Sequence, residues 1–145
     1  MDVQARLPGS EHRVSIKNPE RLTNVHPKLI ALLAEVAAYV DIQIIEGERS
    51  LAAEQANIDK GASKLTDPKN CLHVVQADGF VHAVDYARYP VDWKDTNGFY
   101  FLGGFVCGMA KARGIHVRFG GDWNGDLNIH DQSFNDLDHI ELPLV

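Results

Sequence analysis

The sequence predicts an α+β fold, in which a small antiparallel β-sheet packs with about three helices. Segments in which apolar residues recur at helical spacing alternate with short runs that are typical of strands. These elements lack the regular βαβ period of a doubly wound sheet, which favours the antiparallel arrangement. A chain of 145 residues has a common size for one domain, so we expect a single core over residues 1–145.

Two helices are predicted in the first half of the chain. The first begins at Pro27, a residue suited to a first helical turn, and its apolar residues recur at helical spacing. The second runs from Leu51 to about Lys60, and the hydroxyl of Ser50 can cap its first turn. The inward residues of the first helix are predicted to be Leu29, Leu32, Leu33, Val36, Ala37 and Val40.

A third helix is predicted over residues 98–113. Glycines weaken it but permit close packing against a neighbour. These glycines are Gly103, Gly104 and Gly108. The inward residues are predicted to be Phe101, Leu102, Phe105, Val106 and Met109.

Four short strands complete the predicted fold. Residues 41–47 and 81–89 carry β-branched and alternating apolar residues, and residues 115–119 and 138–142 form two shorter runs of the same kind. Residues 1–24 are polar and interrupted by prolines, so we expect them to form an N-terminal arm with at most short structure.

The charge and hydropathy of the chain exclude two classes of partner. A net charge of −6 and an isoelectric point near 5.5 leave no basic surface for the phosphates of nucleic acid. No run of about 18 apolar residues could cross a bilayer, and the N-terminus lacks the apolar core of a signal peptide. We therefore expect no membrane insertion and synthesis in a cytoplasm, where Cys71 and Cys107 stay reduced.

Three short segments hold most of the histidines and carboxylates that could form a site. They are Cys-Leu-His at 71–73, His-Ala-Val-Asp at 82–85 and Asp-Leu-Asp-His-Ile-Glu at 136–141. A catalytic zinc ion takes three nitrogen or oxygen ligands and leaves one position open for water. These segments contain the residue types for such a site.

The face of a strand selects among these residues. If residues 81–89 form a strand, His82 and Asp85 point to opposite faces and do not share one metal ion. Asp85 fits better, because it shares its face with the small residues Ala83 and Ala87. His73, in the preceding loop, then supplies an imidazole, and His82 is a structural histidine.

The third segment supplies another imidazole and a candidate general base. His139 and Glu141 share a strand face, and Asp136 lies in the turn just before them. A carboxylate beside a metal site can take a proton from water and pass it to a leaving amine, which is the role predicted for Asp136. Such spacings are also common by chance, so the residues alone leave open an interpretation in which these groups are solvated or structural.

A series of motifs in order along the chain resembles a known family. Gly-Glu-Arg-Ser at 47–50, the two histidine segments described above, Gly-Gly-Asp-Trp at 120–123 and Asp-x-x-His-x-Glu at 136–141 resemble the VanY-type zinc peptidases. That family includes D-alanyl-D-alanine carboxypeptidases and the L-alanyl-D-glutamate peptidases that bacteriophages use as endolysins. The small size and the expected lack of a signal peptide are most similar to the endolysin branch.

The resemblance implies a set of site residues and one zinc ion on the sheet. His73, Asp85 and His139 match the family's metal ligands, and Asp136 matches its catalytic carboxylate. Arg49 matches an arginine that faces the substrate, where its planar fork could pair with a carboxylate or with the oxyanion of the tetrahedral intermediate. The implied reaction is hydrolysis of the L-alanyl-D-glutamate bond in peptidoglycan stem peptides, which lyses the host cell.

Two other functions share these residues. A D-alanyl-D-alanine carboxypeptidase or dipeptidase would use the same ligands with a different substrate pocket. A peptidoglycan-binding module without catalysis would keep the fold and the zinc ion, but Asp136 argues against it because a binder needs no base. We expect a monomer that is made in the host cytoplasm and reaches the cell wall through a holin-like pore.

The sequence departs from the family in two places. Cys71 stands where the family usually has Ser or Thr, and we predict that it is a packed residue rather than an additional metal ligand. The segment between His73 and Asp85 is longer than the family's shortest form, which leaves His82 as an alternative first ligand. The argument from strand faces favours His73.

The chain has a candidate binding site for a calcium ion. Oxygen-bearing side chains occur at alternate positions, as in the first half of a calcium loop, and some phage relatives are regulated by calcium in this region. Leu127 stands where an EF-hand needs glycine, and no glutamate follows at the twelfth position, so a polar turn is the favoured interpretation. The candidate calcium ligands are Asp122, Asn124, Asp126 and Asn128.

Overall fold

Three helices and one five-stranded sheet form the fold in a computed structural model that describes residues 15–144. The helices are α1 (Pro27–Val36), α2 (Leu51–Asp59) and α3 (Thr96–Ala112), with short 3₁₀ turns at Pro19–Leu22 and Pro68–Asn70. The strands are β1 (Ile16–Lys17), β2 (Ile42–Glu46), β3 (Ala83–Arg88), β4 (Arg118–Phe119) and β5 (His139–Glu141). The predicted α+β class is confirmed.

The sheet has the strand order β1-β2-β3-β5-β4. Three neighbouring pairs are antiparallel, as predicted, whereas β1 pairs with β2 in parallel, so the sheet is mixed. Residues 15–24 hold only short elements, as predicted, but they pack on the fold, because β1 joins the sheet edge and Leu22 is buried. A strand of two residues is too short to show alternation in the sequence. Residues 1–14 of the predicted arm lie outside the described residues.

The two faces of the central strands serve different purposes. Val84 and Tyr86 of β3 and Ile140 of β5 belong to the buried core beneath α1 and α3. Asp85 and His139 lie at the alternate positions, so their side chains point to the other face of the sheet. Within the described residues, no helix has the length and hydropathy needed to cross a membrane.

The helix ends follow from local side chains. Pro27 begins α1, as predicted, and the ring of His26 caps this helix by accepting a hydrogen bond from the backbone N–H of Lys28 over 3.0 Å. Ser50 caps α2 through a 3.0 Å hydrogen bond from the Ala53 N–H, also as predicted. These bonds satisfy donors that have no partner inside the helix.

The buried stripe of α3 differs from the predicted one. Phe101 is 83% exposed and Phe105 is also exposed, so the prediction that both point inward is wrong. The helix instead turns Gly103 towards the core, and a Cβ at that position would lie 2.3 Å from the ring of Phe119. Because the aromatic ring of Phe119 occupies this space, the helix packs closely through its glycine.

Gly103→Ala is expected to destabilise the protein by about 1–3 kcal/mol, because the added methyl group overpacks the contact with Phe119. Gly104→Ala is the matched control, since a Cβ at that exposed position would have no atom within 4 Å. The control should stabilise the helix by roughly 0.5–1 kcal/mol. Urea unfolding of both variants measures the difference, and equal effects would contradict the packing argument.

Candidate metal centre

The three predicted metal ligands converge on one point beside the sheet. Asp85 Oδ1 lies 3.3 Å from His73 Nε2 and 3.0 Å from His139 Nδ1, and these two ring nitrogens are 3.3 Å apart. Both imidazoles are buried and Asp85 is half-buried. The chain thus brings two nitrogens and one carboxylate oxygen within reach of a single ion.

Strand pairing and one loop contact position these side chains. Asp85 and His139 are directly opposite each other in the antiparallel pair β3–β5, so their side chains are neighbours on one face. His73 comes from the loop before β3, and its backbone carbonyl accepts a 2.7 Å hydrogen bond from the N–H of Arg49. The segment that follows β2 therefore anchors the loop beside the sheet.

Each imidazole is oriented by a hydrogen bond on its far nitrogen. His73 Nδ1 lies 2.7 Å from the Gly47 carbonyl oxygen, which can only accept, so the proton resides on Nδ1 and Nε2 has a free lone pair. His139 Nε2 lies 2.7 Å from Glu141 Oε1, so in the neutral ring the proton resides on Nε2 and Nδ1 can offer its lone pair to an ion. Arg118 holds Glu141 over 2.6 Å. Such outer partners are typical of histidines that bind metal ions.

The charges around these residues favour a cation. Burial opposes ionisation of Asp85, but its hydrogen bonds with His139 and His73 hold the pKa of Asp85 far below its usual range. Burial also lowers the pKa of His139, yet Asp85 and Glu141 outweigh this effect and raise it to about 10. Negative charge therefore surrounds the imidazole on two sides, and the donor set fits a zinc-type ion.

Asp136 lies next to this group but is more accessible than its members. Its Oδ2 is 3.8 Å from His139 Nδ1, and its side chain is 37% exposed. Gly120 positions it, because the Asp136 N–H donates to the Gly120 carbonyl over 2.8 Å and the Gly120 N–H donates to the His139 carbonyl over 3.0 Å. A Cβ on Gly120 would lie 1.9 Å from the Asp136 carbonyl oxygen, which explains the glycine.

Asp138 is a site residue to which the sequence analysis gave no role. It lies close to Asp85 and Asp136, and one carboxylate oxygen from each of these three residues lies within 4.8 Å of the other two. Burial and the charges of these two neighbours raise the pKa of Asp138 to about 8. The sequence predicted a strand over residues 138–142, in which Asp138 would point to the opposite face from His139. The strand β5 instead begins at His139, so Asp138 precedes it.

Aromatic side chains form a wall beside His139. The ring of Trp123, in the Gly-Gly-Asp-Trp motif, lies 5.4 Å from the His139 ring and stacks on Phe134 at 5.8 Å. Its indole N–H donates to the Phe134 carbonyl over 2.9 Å. Lys64 reaches the same Phe134 ring from another loop and places its ammonium 5.2 Å from the ring centre, within reach of a cation–π contact. The Trp123 wall confines one side of the site.

Arg49 is fixed beside the loop that carries His73. Its guanidinium donates to Glu54 over 2.8 Å and also pairs with Glu46, and its side chain is 18% exposed. Burial opposes the charge, but these carboxylates raise the pKa of Arg49. The buried Cys71 thiol lies 3.7 Å from the guanidinium and belongs to no group of metal-binding residues in the described chain. The role of Arg49 towards substrate stays a prediction.

His82 lies apart from the first group of ligands. It is buried, its Nε2 is 2.7 Å from Asp78 Oδ2, and it forms a separate group with Asp78 and His26. The structure therefore does not bring His82 together with Asp85.

The proposed calcium residues stabilise their own loop. Asp122 Oδ2 accepts a 2.9 Å hydrogen bond from the N–H of Leu127, and Asp126 Oδ1 accepts one of 2.9 Å from Asn128. Asn124 Oδ1 in turn accepts from the Asp126 N–H over 3.3 Å. In the described part of the chain, no cluster of three acidic, histidine or cysteine ligands lies here, so the calcium prediction has no support.

Comparisons with known proteins identify the family. The chain matches the model of a family described as phage L-alanyl-D-glutamate peptidase over residues 11–143. It is 33% identical over 135 residues to the L-alanyl-D-glutamate peptidase of Escherichia phage T5, a match that covers 87% of this chain and 95% of that relative. The crystal structure of the Serratia marcescens L-Ala D-Glu endopeptidase ChiX matches with a TM-score of 0.70 and 26% identity, covering 88% of this chain and 86% of that one. The chain therefore belongs to the phage L-alanyl-D-glutamate peptidase family.

Proposed function

We propose that this protein is a zinc-dependent endopeptidase that hydrolyses the L-alanyl-D-glutamate bond of peptidoglycan stem peptides. The observation that carries the proposal is the convergence of His73, Asp85 and His139 beside the accessible carboxylate of Asp136. Membership of a peptidase family whose relatives are named for this bond supports the choice of substrate.

In this proposal, His73 Nε2, His139 Nδ1 and Asp85 Oδ1 hold the ion. Two imidazoles and one carboxylate form a common ligand set of catalytic zinc sites. A zinc ion held by these residues would supply Lewis-acid chemistry, which would polarise the scissile carbonyl and lower the pKa of water. The buried position of the imidazoles keeps competing solvent away from the ligand atoms.

Asp136 is the general base and then the general acid of the reaction. Its exposed carboxylate takes a proton from the attacking water and returns it to the amine of the D-glutamate leaving group. Arg49 pairs with a substrate carboxylate or with the developing oxyanion, because Glu46 and Glu54 hold its planar fork in place. The Trp123 wall limits the positions that the peptide can take beside His139.

The proposal includes the place of action. The protein is made in the host cytoplasm, passes a holin-like pore and cleaves the cell wall as a monomer, which lyses the cell. Fractionation of infected cells before and after lysis tests this step, and wall-bound protein without an open pore would contradict it.

Mass spectrometry of digested peptidoglycan tests the bond that is cut. With zinc, the protein should release stem peptides that begin with D-glutamate, and a chelator should abolish this release. Release of D-alanine alone would favour the carboxypeptidase, which shares the ligands and differs in its pocket. Wall binding without any hydrolysis would favour the binding module.

Asp136→Asn is expected to lower kcat by roughly 10²–10⁴-fold, because the amide cannot accept the proton from water. The zinc content should stay unchanged, since Asp136 is not a ligand in this proposal. Asp59→Asn, which removes an exposed carboxylate at the end of α2, is the control and should keep full activity. Steady-state hydrolysis of a stem peptide measures the effect, and an active Asp136→Asn variant would remove this residue from the mechanism.

Glu141→Gln is expected to weaken zinc binding by about 10–100-fold, because a neutral amide orients and polarises the His139 ring less strongly than a carboxylate. Glu35→Gln is the matched control, since Glu35 also pairs with an arginine, Arg113, at a place without metal ligands. Titration against a competing chelator gives both affinities. Unchanged affinity in Glu141→Gln would show that the bond to His139 has no such role.

A further inference from the structure

A second group of two histidines and one carboxylate lies where the start of α1 meets the segment before β3. His26 precedes α1, His82 directly precedes β3, and Asp78 lies in the turn before it. One ligand atom from each residue lies within 4.8 Å of the other two. We propose that His26, Asp78 and His82 form a second site for a divalent ion of the zinc class, separate from the candidate metal centre.

His82 is the residue that the protein alone leaves incompletely bonded. Its Nε2 meets Asp78 Oδ2 at 2.7 Å, but its Nδ1 is buried without a hydrogen-bond partner among the described residues. The residue is only 7% exposed. Buried ring nitrogens are normally paired, so an unpaired one marks an imidazole that the surrounding protein does not fully use.

The backbone holds the three side chains together before any ion binds. The His26 N–H donates to the Val81 carbonyl over 2.9 Å, which fixes the segment before α1 against the residue that precedes His82. Asp78 Oδ1 accepts a 3.0 Å hydrogen bond from the Phe80 N–H, which leaves Oδ2 for His82. The rings of His26 and His82 are 5.1 Å apart. A site that is ordered in advance loses little entropy on binding.

Binding would exchange one bond of His26 for another. Its Nδ1 accepts the capping hydrogen bond from the Lys28 N–H, so in the neutral ring the proton resides on Nε2. To offer the lone pair of Nε2, His26 gives up this cap. Metal bonds replace this hydrogen bond and the one between His82 and Asp78, and the binding free energy of a metal ion adds to the stability of the fold.

The ion would stabilise the loop that supports the candidate metal centre. The His82 N–H donates over 2.8 Å to the carbonyl of Leu72, the residue before His73. Asp78 and His82 both lie in the segment between His73 and Asp85. The ion would therefore hold this segment against the start of α1.

Metal analysis of the dialysed full-length protein tests the proposal. The wild type should retain two zinc ions per chain, and His26→Asn should retain one. Asparagine still offers a side-chain acceptor to the Lys28 N–H but lacks the imidazole, so the helix cap survives while the ligand is lost. Asp78→Asn should also retain one, because its amide oxygen can still accept from the Phe80 N–H while the carboxylate ligand is lost.

Two further variants make the result specific. His116→Asn removes an exposed histidine outside both groups and should retain two ions. Asp85→Asn should lose only the ion of the candidate metal centre. Added zinc should then raise the Tm of Asp85→Asn but not the Tm of the double variant His26→Asn/Asp85→Asn. One ion in the wild type, or two in His26→Asn and Asp78→Asn, would overturn the second site and leave the peptidase proposal intact.

Discussion

The pairing of Asp85 with His139 across β3 and β5 is the contact on which the candidate metal centre depends. Its register is set on the other face of the sheet, where Val84 and Ile140 are directly opposite each other and fully buried. A slip of one residue would turn these apolar side chains to the wrong face and separate the two polar ones. The hydrophobic core thus fixes the distance between two ligands that it does not touch.

The same pairing gathers negative charge, which has a structural cost. Asp85 and Glu141 contact His139, and Asp138 lies close to Asp85, whereas the one arginine paired with these carboxylates among the contacts described is Arg118, which binds Glu141. Burial, together with this repulsion, raises the pKa of Asp138, because holding a proton removes the buried charge. An ion among these groups would relieve the repulsion further, so the arrangement suits binding of a cation better than stability of the free protein.

The sequence predicted those parts of the site that follow from strand faces and motif order, and it missed those that depend on loop geometry. The first turns of α1 and α2 were predictable, because Pro27 and Ser50 act locally. The contact of Trp123 with His139 was not predictable, because it depends on how the loop that carries Trp123 folds against β5. Asp138 was missed because its position depends on where β5 begins, and strand boundaries carry little sequence signal.

A ligand on a loop needs more support than a ligand on a strand, and this difference explains why His73 has so many backbone contacts. Its own carbonyl bonds to Arg49, its ring bonds to Gly47 and the preceding carbonyl bonds to His82, so two segments hold it, residues 47–49 and the start of β3. A metal site requires its ligands to be held within a fraction of an ångström. His82 is one of these supports and also lies beside His26 and Asp78. An ion bound by His26, Asp78 and His82 would therefore act on the candidate metal centre through the position of His73.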